Sequence, residues 1–177
     1  MAGTDASSGP VRVDALELDM AACPYADLSD ILGYWSAKCD GRFAPRRADI
    51  DPIDLVAWLP RIMLADVLAD PLDFRYRLSG TGICDMHGQE PTGQSPRDLT
   101  PPPFGALIHA HYCAAVARRA PILHLIVLDA SDRSRSYARL ILPLSEDGAA
   151  VTMLMTVDSK EQNTRALKNF FAQMSGR

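Results

Sequence analysis

Four histidines, His87, His109, His111 and His124, and a set of paired arginines carry most of the side chains able to do chemistry in this chain. His109 and His111 flank one alanine in "HAH". Two positions on a helix are about 200° apart, so the pair cannot chelate one metal there; only a strand would put both on one face. His111 shares a helical face with Phe104, Leu107, Ile108 and Ala115. His124 alternates with Ile122, Ile126 and Leu128, and Arg139 alternates with Tyr137. If His124 and Arg139 both point inward, they could hold an anionic ligand; the other reading is an exposed cross-strand polar pair. Met153 and Met155 fall on one side of the last strand and could join Met86 and Met63 in an adaptable apolar pocket, or serve as plain core.

Arg46, Arg47 and Asp49 spell an Arg-x-x-Asp string. Such a string can grip a guanine edge and a phosphate of a cyclic dinucleotide, or can tie a loop by ion pairs. Cys84 and His87, three apart, could be half of a zinc site, but no second half stands at ligand spacing. "GTGICDMHG" has Asp85 where a dinucleotide loop needs its third glycine. Neither a phosphate loop ending in Gly-Lys nor a Gly-x-Ser-x-Gly elbow is present. Glu146 and Asp147 lie in a turn and read as solvated. Nothing assembles a nucleophile, base and acid, so the expectation is a protein without catalysis or a bound metal.

The elements that must position these groups follow from periodicity. Leu28, Ile31, Leu32, Trp35 and Cys39 predict a helix from Leu28 to Asp40, with Asp27 as its cap. Asp51 and Pro52 predict a short helix ending near Trp58. Arg61–Leu68 and Phe74–Gly80 read as paired strands; in the second, Phe74, Tyr76 and Leu78 point one way and Arg75 and Arg77 the other. The Gly- and Pro-rich stretch Thr81–Pro103 has room only for short helical turns. A longer helix spans Phe104–Arg119, and three apolar strands follow over 121–130, 136–144 and 149–157, joined by tight polar links. Leu167, Phe170, Phe171 and Met174 predict an amphipathic C-terminal helix. This order implies an α+β fold: one five-stranded antiparallel sheet with helices on one face, plus amphipathic N- and C-terminal helices.

The 177 residues suit one domain with a full core. A hydrophobic share of 47% against 23% charged excludes a disordered chain. No run approaches the ~20 apolar residues of a membrane helix, and "MAGTDASSGP" lacks the basic flank and apolar core of a signal peptide. The expectation is a cytoplasmic protein with no membrane insertion. The net charge of −4 argues against nucleic acid. Six acids against one base from Met1 to Asp30 mark off an acidic arm. Four cysteines without a Cys-x-x-Cys pair are expected as free thiols, with Cys39 and Cys113 as buried small hydrophobes. The expected organisation is an acidic flexible arm (1–27), a helical segment (28–60), a central domain (61–157) and a C-terminal helix (158–177).

The element order resembles that of the PAS domain. Local wording narrows the likeness: Tyr34-Trp35, then "GRFAPRRADIDP" (Gly41 to Pro52), "WLP", "FRYRLSGTGI" and Thr92-Gly93. Together these are similar to a family of small bacterial proteins made of a single PAS domain behind a helical segment, and the resemblance covers Leu28 to Val157. The departures are "KCDGR" and Pro101-Pro102-Pro103, which bear on helix ends. The resemblance implies a sensor or adaptor in bacterial signal transduction, acting through a protein partner and as a homodimer. It implies a ligand pocket between sheet and long helix, for which the candidates are Met86, His111, His124, Arg139, Met153 and Met155. Some PAS domains bind haem through a histidine on that helix, so a haem sensor through His111 is one alternative. A cyclic-dinucleotide sensor through Arg46, Arg47 and Asp49 is another, and a small α+β enzyme with pKa-shifted groups in its cavity is a third. Trp35, Leu167, Phe170 and Phe171 are the candidate interface, since a signal must leave by contact.

Overall fold

The computed structural model describes residues 11–130, 133–162 and 171–172. The strands are β1 (Arg12–Leu18), β2 (Ile62–Leu68), β3 (Asp73–Ser79), β4 (Ile122–Ala130), β5 (Arg133–Leu144) and β6 (Met153–Asp158). The helices among the described residues are α1 (Ala26–Cys39), α2 (Thr81–His87) and α3 (Pro102–Arg118). All six strands form one antiparallel sheet in the order β1-β4-β5-β6-β2-β3.

Five of these strands are the expected ones. The sixth corrects the reading of Arg12–Leu18 as part of a flexible arm, because this stretch pairs with Leu123–Asp129 of β4. The acidic composition hid a strand alternation. Val13 and Ala15 pack toward the core beneath α3, while Arg12, Asp14 and Leu16 stay exposed. Pairing satisfies the amides and carbonyls along the free side of β4. Glu17 then joins Arg118 in an ion pair, so β1 is tied to the end of α3.

The helices do not share one face, as expected, but cover both. Under α2 and α3 lies an inner layer of Phe74, Tyr76, Met86, Phe104, Ile108, Tyr112, Ile126, Tyr137, Ile141 and Leu154. On the outer face α1 presses Leu28, Ile31 and Trp35 onto Leu123, Ala138, Leu140, Leu142 and Met155. Alternation along β5 sends Tyr137, Arg139 and Ile141 inward and Ala138, Leu140 and Leu142 outward.

Asp27 does not cap α1, whose N-cap is Tyr25. Buried inside the first turn, it instead accepts from Ser159 Oγ at 2.9 Å, Lys160 N–H at 2.8 Å and Arg61 Nη1 at 2.7 Å. Burial alone would raise this carboxyl; the Lys160 amide, the Ser159 hydroxyl and Arg61 together hold it below its ordinary value. One carboxylate thus joins α1, the start of β2 and the chain leaving β6.

The short helix expected at Asp51–Trp58 is a run of turns, followed by a 3-10 turn at Leu59–Arg61. Asp51 does accept the Ile53 amide at 2.9 Å. Gly80 lets this segment lie directly on the end of β3: an added Cβ would stand 2.3 Å from the Leu59 carbonyl oxygen. The expected alternation of β3 also breaks. Leu64 pairs with Leu78 but Ala65 pairs with Tyr76, so Arg77 is an extra, bulged residue. Leu78 is therefore turned to the outer face, opposite Phe74 and Tyr76. Of the C-terminal helix expected over 158–177, residues 158–162 are instead the end of β6 and the chain leaving it, Phe171 and Ala172 are helical, and the rest, with Leu167 and Phe170, lies outside the described residues. Among the described residues, no helix is long and apolar enough to cross a membrane.

Candidate functional site

The inner face is crowded with polar groups that have no water to meet. At its centre Arg139, 1% exposed, faces Asp158, also 1% exposed. Their contact is bidentate, Nε to Oδ1 at 2.6 Å and Nη2 to Oδ2 at 3.0 Å. The register sets it, because Arg139 and Asp158 are direct neighbours on β5 and β6. Burial would pull the guanidinium down, but Asp158, with the surrounding tyrosines, holds it well above its ordinary value, so it stays charged. The Arg139 guanidinium also lies 5.3 Å over the ring of Tyr137.

Around the ion pair stand Tyr76, Tyr112 and Tyr137, all fully buried. Tyr112 lies against the hydroxyls of Tyr76 and Thr156. The Tyr137 hydroxyl has no hydrogen-bond partner. Burial raises the Tyr137 phenol far above its usual value and does the same for Tyr76, so both keep their protons. Leaving a buried polar group unpaired costs about 1–3 kcal/mol, a cost the Tyr137 hydroxyl bears.

His111 and His124 both face inward and stack on each other. Their ring centroids are 3.6 Å apart and the planes differ by 5°. The Nδ1 of each ring is buried without a partner. Burial holds His111 down to about 3, helped by His124 and Arg139, and burial also lowers His124. Two cations cannot be stacked face to face in such a place, so both rings are neutral. His87 lies between Phe171, at 4.1 Å, and Phe104, at 5.6 Å, and burial takes it down to about 3 as well.

Of the pocket candidates, then, Met86, His111, His124 and Arg139 meet on the inner face. Met153 and Met155 do not: both point outward into the layer under α1. Alternation required them to share a side but did not say which, and Leu154 and Thr156 took the inner one. The exposed His124–Arg139 pair is also corrected. The two are neighbours in the β4–β5 register and both are buried. An anion held by Arg139 would have to displace Asp158. Asp158 was missed, although an acid across from Arg139 at the end of an apolar strand was the signal for it.

His124 covers one face of the His111 ring at 3.6 Å, while the in-plane nitrogens, the atoms through which a histidine holds a haem iron, lie at the edge of the stack. Among the described residues no group of three or more His, Cys, Asp or Glu side chains is placed to hold a metal ion. Arg46 and Asp49 pair with each other, and Arg42 adds a second guanidinium to Asp49 at 2.8 Å. These partners hold the Asp49 carboxyl well below the usual carboxylate range, and the loop is tied to itself; Arg47 turns away, donating to the Ile50 carbonyl.

Trp35 is buried, and its Nε1 donates to the Pro143 carbonyl at 2.8 Å. Phe171 is buried against His87 and Phe104. Both candidate interface residues therefore cover their own domain.

One chain of side chains went unread in the sequence. Cys113 Sγ lies 3.6 Å from His109 Nδ1, and His109 Nε2 lies 3.2 Å from Asp73 Oδ1. That is the order of nucleophile, base and orienting acid. Burial, however, raises the Cys113 thiol and lowers the His109 imidazole, so the proton rests on sulfur, the state of a structural thiol.

An antiparallel sheet roofed by short helices and one long helix, with polar groups gathered between them, defines a PAS-type sensor domain. The PAS domain family model matches residues 25–157. The chain therefore belongs to the PAS domain family, and is a sensor domain of that kind. It is also similar to a solved structure titled "Structure of an RNA-binding Light-Oxygen-Voltage Receptor", at 14% identity and a TM-score of 0.46. That match covers 94% of this chain and 43% of the other. No curated protein matches the chain.

Proposed function

We propose that this protein is a non-catalytic sensor and adaptor in signal transduction, which reads a small neutral polar ligand on the inner face and passes the result on by protein contact. The observation that carries the reading is the set of buried groups without a hydrogen-bond partner, the Tyr137 hydroxyl and the Nδ1 atoms of His111 and His124, beside a matched ion pair. A ligand offering hydroxyl or carbonyl groups would satisfy them and recover the cost of their burial. Arg139 is already neutralised by Asp158, which favours an uncharged ligand over an anion.

A route outward is built into the same strand. Asp158 puts its carboxylate into the inner layer while its carbonyl accepts from Arg61. The next residues, Ser159 and Lys160, donate to Asp27 of α1. A ligand that rearranges Arg139 and Asp158 would bear on this joint, and could bias two arrangements of α1 and the chain after β6 by binding one of them better.

Native mass spectrometry of the purified protein, with ligand-observed NMR against a library of small neutral polar compounds, tests the reading. A retained mass or a hit lost in Tyr137→Phe and in His111→Phe is the expected result. Binding that is indifferent to both variants, or no binding by any member of the library, counts against it.

A further inference from the structure

The outer face of the sheet, covered elsewhere by α1, has a gap beside β2 and β3. There the segment 50–59 bridges across the sheet and leaves a hollow of about 90 Å³. Its walls are Ile50, Pro52, Leu55, Leu64, Leu78 and Met155, with Arg47 as the one charged residue. Leu78 is in this wall only because of the bulge at Arg77; without the extra residue it would point to the inner face. Bulges that re-aim a side chain are structural devices rather than accidents.

A projection stands next to the hollow. Ile53 is 79% exposed and Val56 64% exposed, on the same segment that supplies Pro52 and Leu55 to the wall. Leu59 and Leu78 are exposed as well, so four of the six large exposed hydrophobics among the described residues gather at this place. Scattered surface hydrophobics need no explanation, but a contiguous group rimmed by charge marks an interaction surface. The charges are divided in a useful way. Exposed Asp51 and Asp54 flank Ile53, Asp54 in a solvent-exposed pair with Lys38 at 3.6 Å, whereas Arg47 is on the wall of the hollow.

We propose that this surface is the interface of a two-fold dimer of the chain, in which Ile53 of each protomer enters the hollow of the other. A projection and a matching hollow side by side on one surface are what an isologous contact requires, since each copy gives and receives the same feature. The hollow is about the size of one branched aliphatic side chain. In that arrangement the carboxylates of Asp51 and Asp54 on one protomer come opposite Arg47 on the other, which sets the register by charge. The interface thereby moves from Trp35 and Phe171, which are buried in their own domain, to the surface that the bulge exposes. It stands apart from the ligand reading, because it uses no residue of the inner face.

Sedimentation equilibrium over a micromolar concentration series tests it. The wild type self-associates to a dimer. Ile53→Glu weakens association by about ten-fold or more, with an unchanged thermal midpoint at dilutions where both proteins are monomeric, because the side chain is exposed there. Arg47→Glu weakens it too, and the exchange Arg47→Asp with Asp54→Arg restores it. A wild type that stays monomeric throughout overturns the proposal and leaves the groove to a different protein. A dimer whose constant is unmoved by Ile53→Glu and by the Arg47 variants overturns it as well, by placing the contact elsewhere. Neither outcome alters ligand binding, which is read on monomer and dimer alike.

Discussion

The two faces of one sheet are built by opposite rules. The outer face, under α1, is Leu, Ile, Met and Trp packed on one another, and its buried polar atom at Trp35 is satisfied by Pro143. The inner face, under α2 and α3, carries three tyrosines, three imidazoles and an ion pair, and several of these atoms have no partner. The outer layer does what stability asks of it. The inner layer retains costs that a purely structural core would have shed, and such retained costs are where function is found.

Variants should separate the faces by kind as well as by size. The largest effect belongs to the inner ion pair. Asp158→Ala strands a charged Arg139 in the core and should cost about 3–5 kcal/mol in urea unfolding. The paired replacement Arg139→Met with Asp158→Leu should cost far less than either single change. A paired cost equal to the sum of the two single costs would mean the two charges do not depend on each other. On the outer face Leu140→Ala should cost about 2–5 kcal/mol, through transfer and cavity alone. It should leave ligand binding untouched; a loss of binding there would erase the contrast between faces.

Next in size is a pH effect confined to the inner face. His87 and His111 are held down to about 3 and His124 is lowered, so the unfolded chain binds more protons than the folded one as pH falls below about 6.5. Their contribution is therefore complete above that pH and is lost on acidification. Stability should drop by up to about 1.4 kcal/mol per pH unit for each histidine that differs fully between the two states. Between pH ~5 and ~6.5 few carboxylates titrate, so the slope there reports the histidines. His111→Phe, which keeps a ring against His124, should flatten it; an unchanged slope would mean His111 is not a buried neutral base.

The smallest effect has the opposite sign. Tyr137→Phe removes a buried hydroxyl with no partner and should stabilise the protein by about 1 kcal/mol in the absence of ligand. The same change should weaken the ligand. A destabilised Tyr137→Phe would show that the hydroxyl is satisfied in solution.

Much of this was legible in the residues, and the failures have physical causes. Alternation placed His124 with Ile122 and Ile126, and the helical face placed His111 with Phe104 and Ile108. Neither could show that the two rings would meet, because that depends on how α3 lies over β4. Period two grouped Met153 with Met155 but left their side open, and pairing with Leu144 and Leu142 decided it. Leu78 was misplaced because a bulge has no signature in alternation; only register against β2 reveals it. β1 was hidden by its charges, which sit at the exposed positions a partly solvated edge strand provides. The string from Arg46 to Asp49 read as loop-tying ion pairs or as nucleotide chemistry, and the Arg42 contact to Asp49 shows the former bonding.

The central claim is that the inner ion pair and the Asp27 joint act as one unit. Amide hydrogen exchange at Lys160, whose N–H donates to Asp27, reads that coupling directly. It should be compared between the wild type and the folded Arg139→Met, Asp158→Leu variant. Coupling predicts that protection at Lys160 falls by about ten-fold or more, equivalent to about 1.4 kcal/mol, while amides of β4 keep theirs. Equal protection at Lys160 in the two proteins would contradict the account.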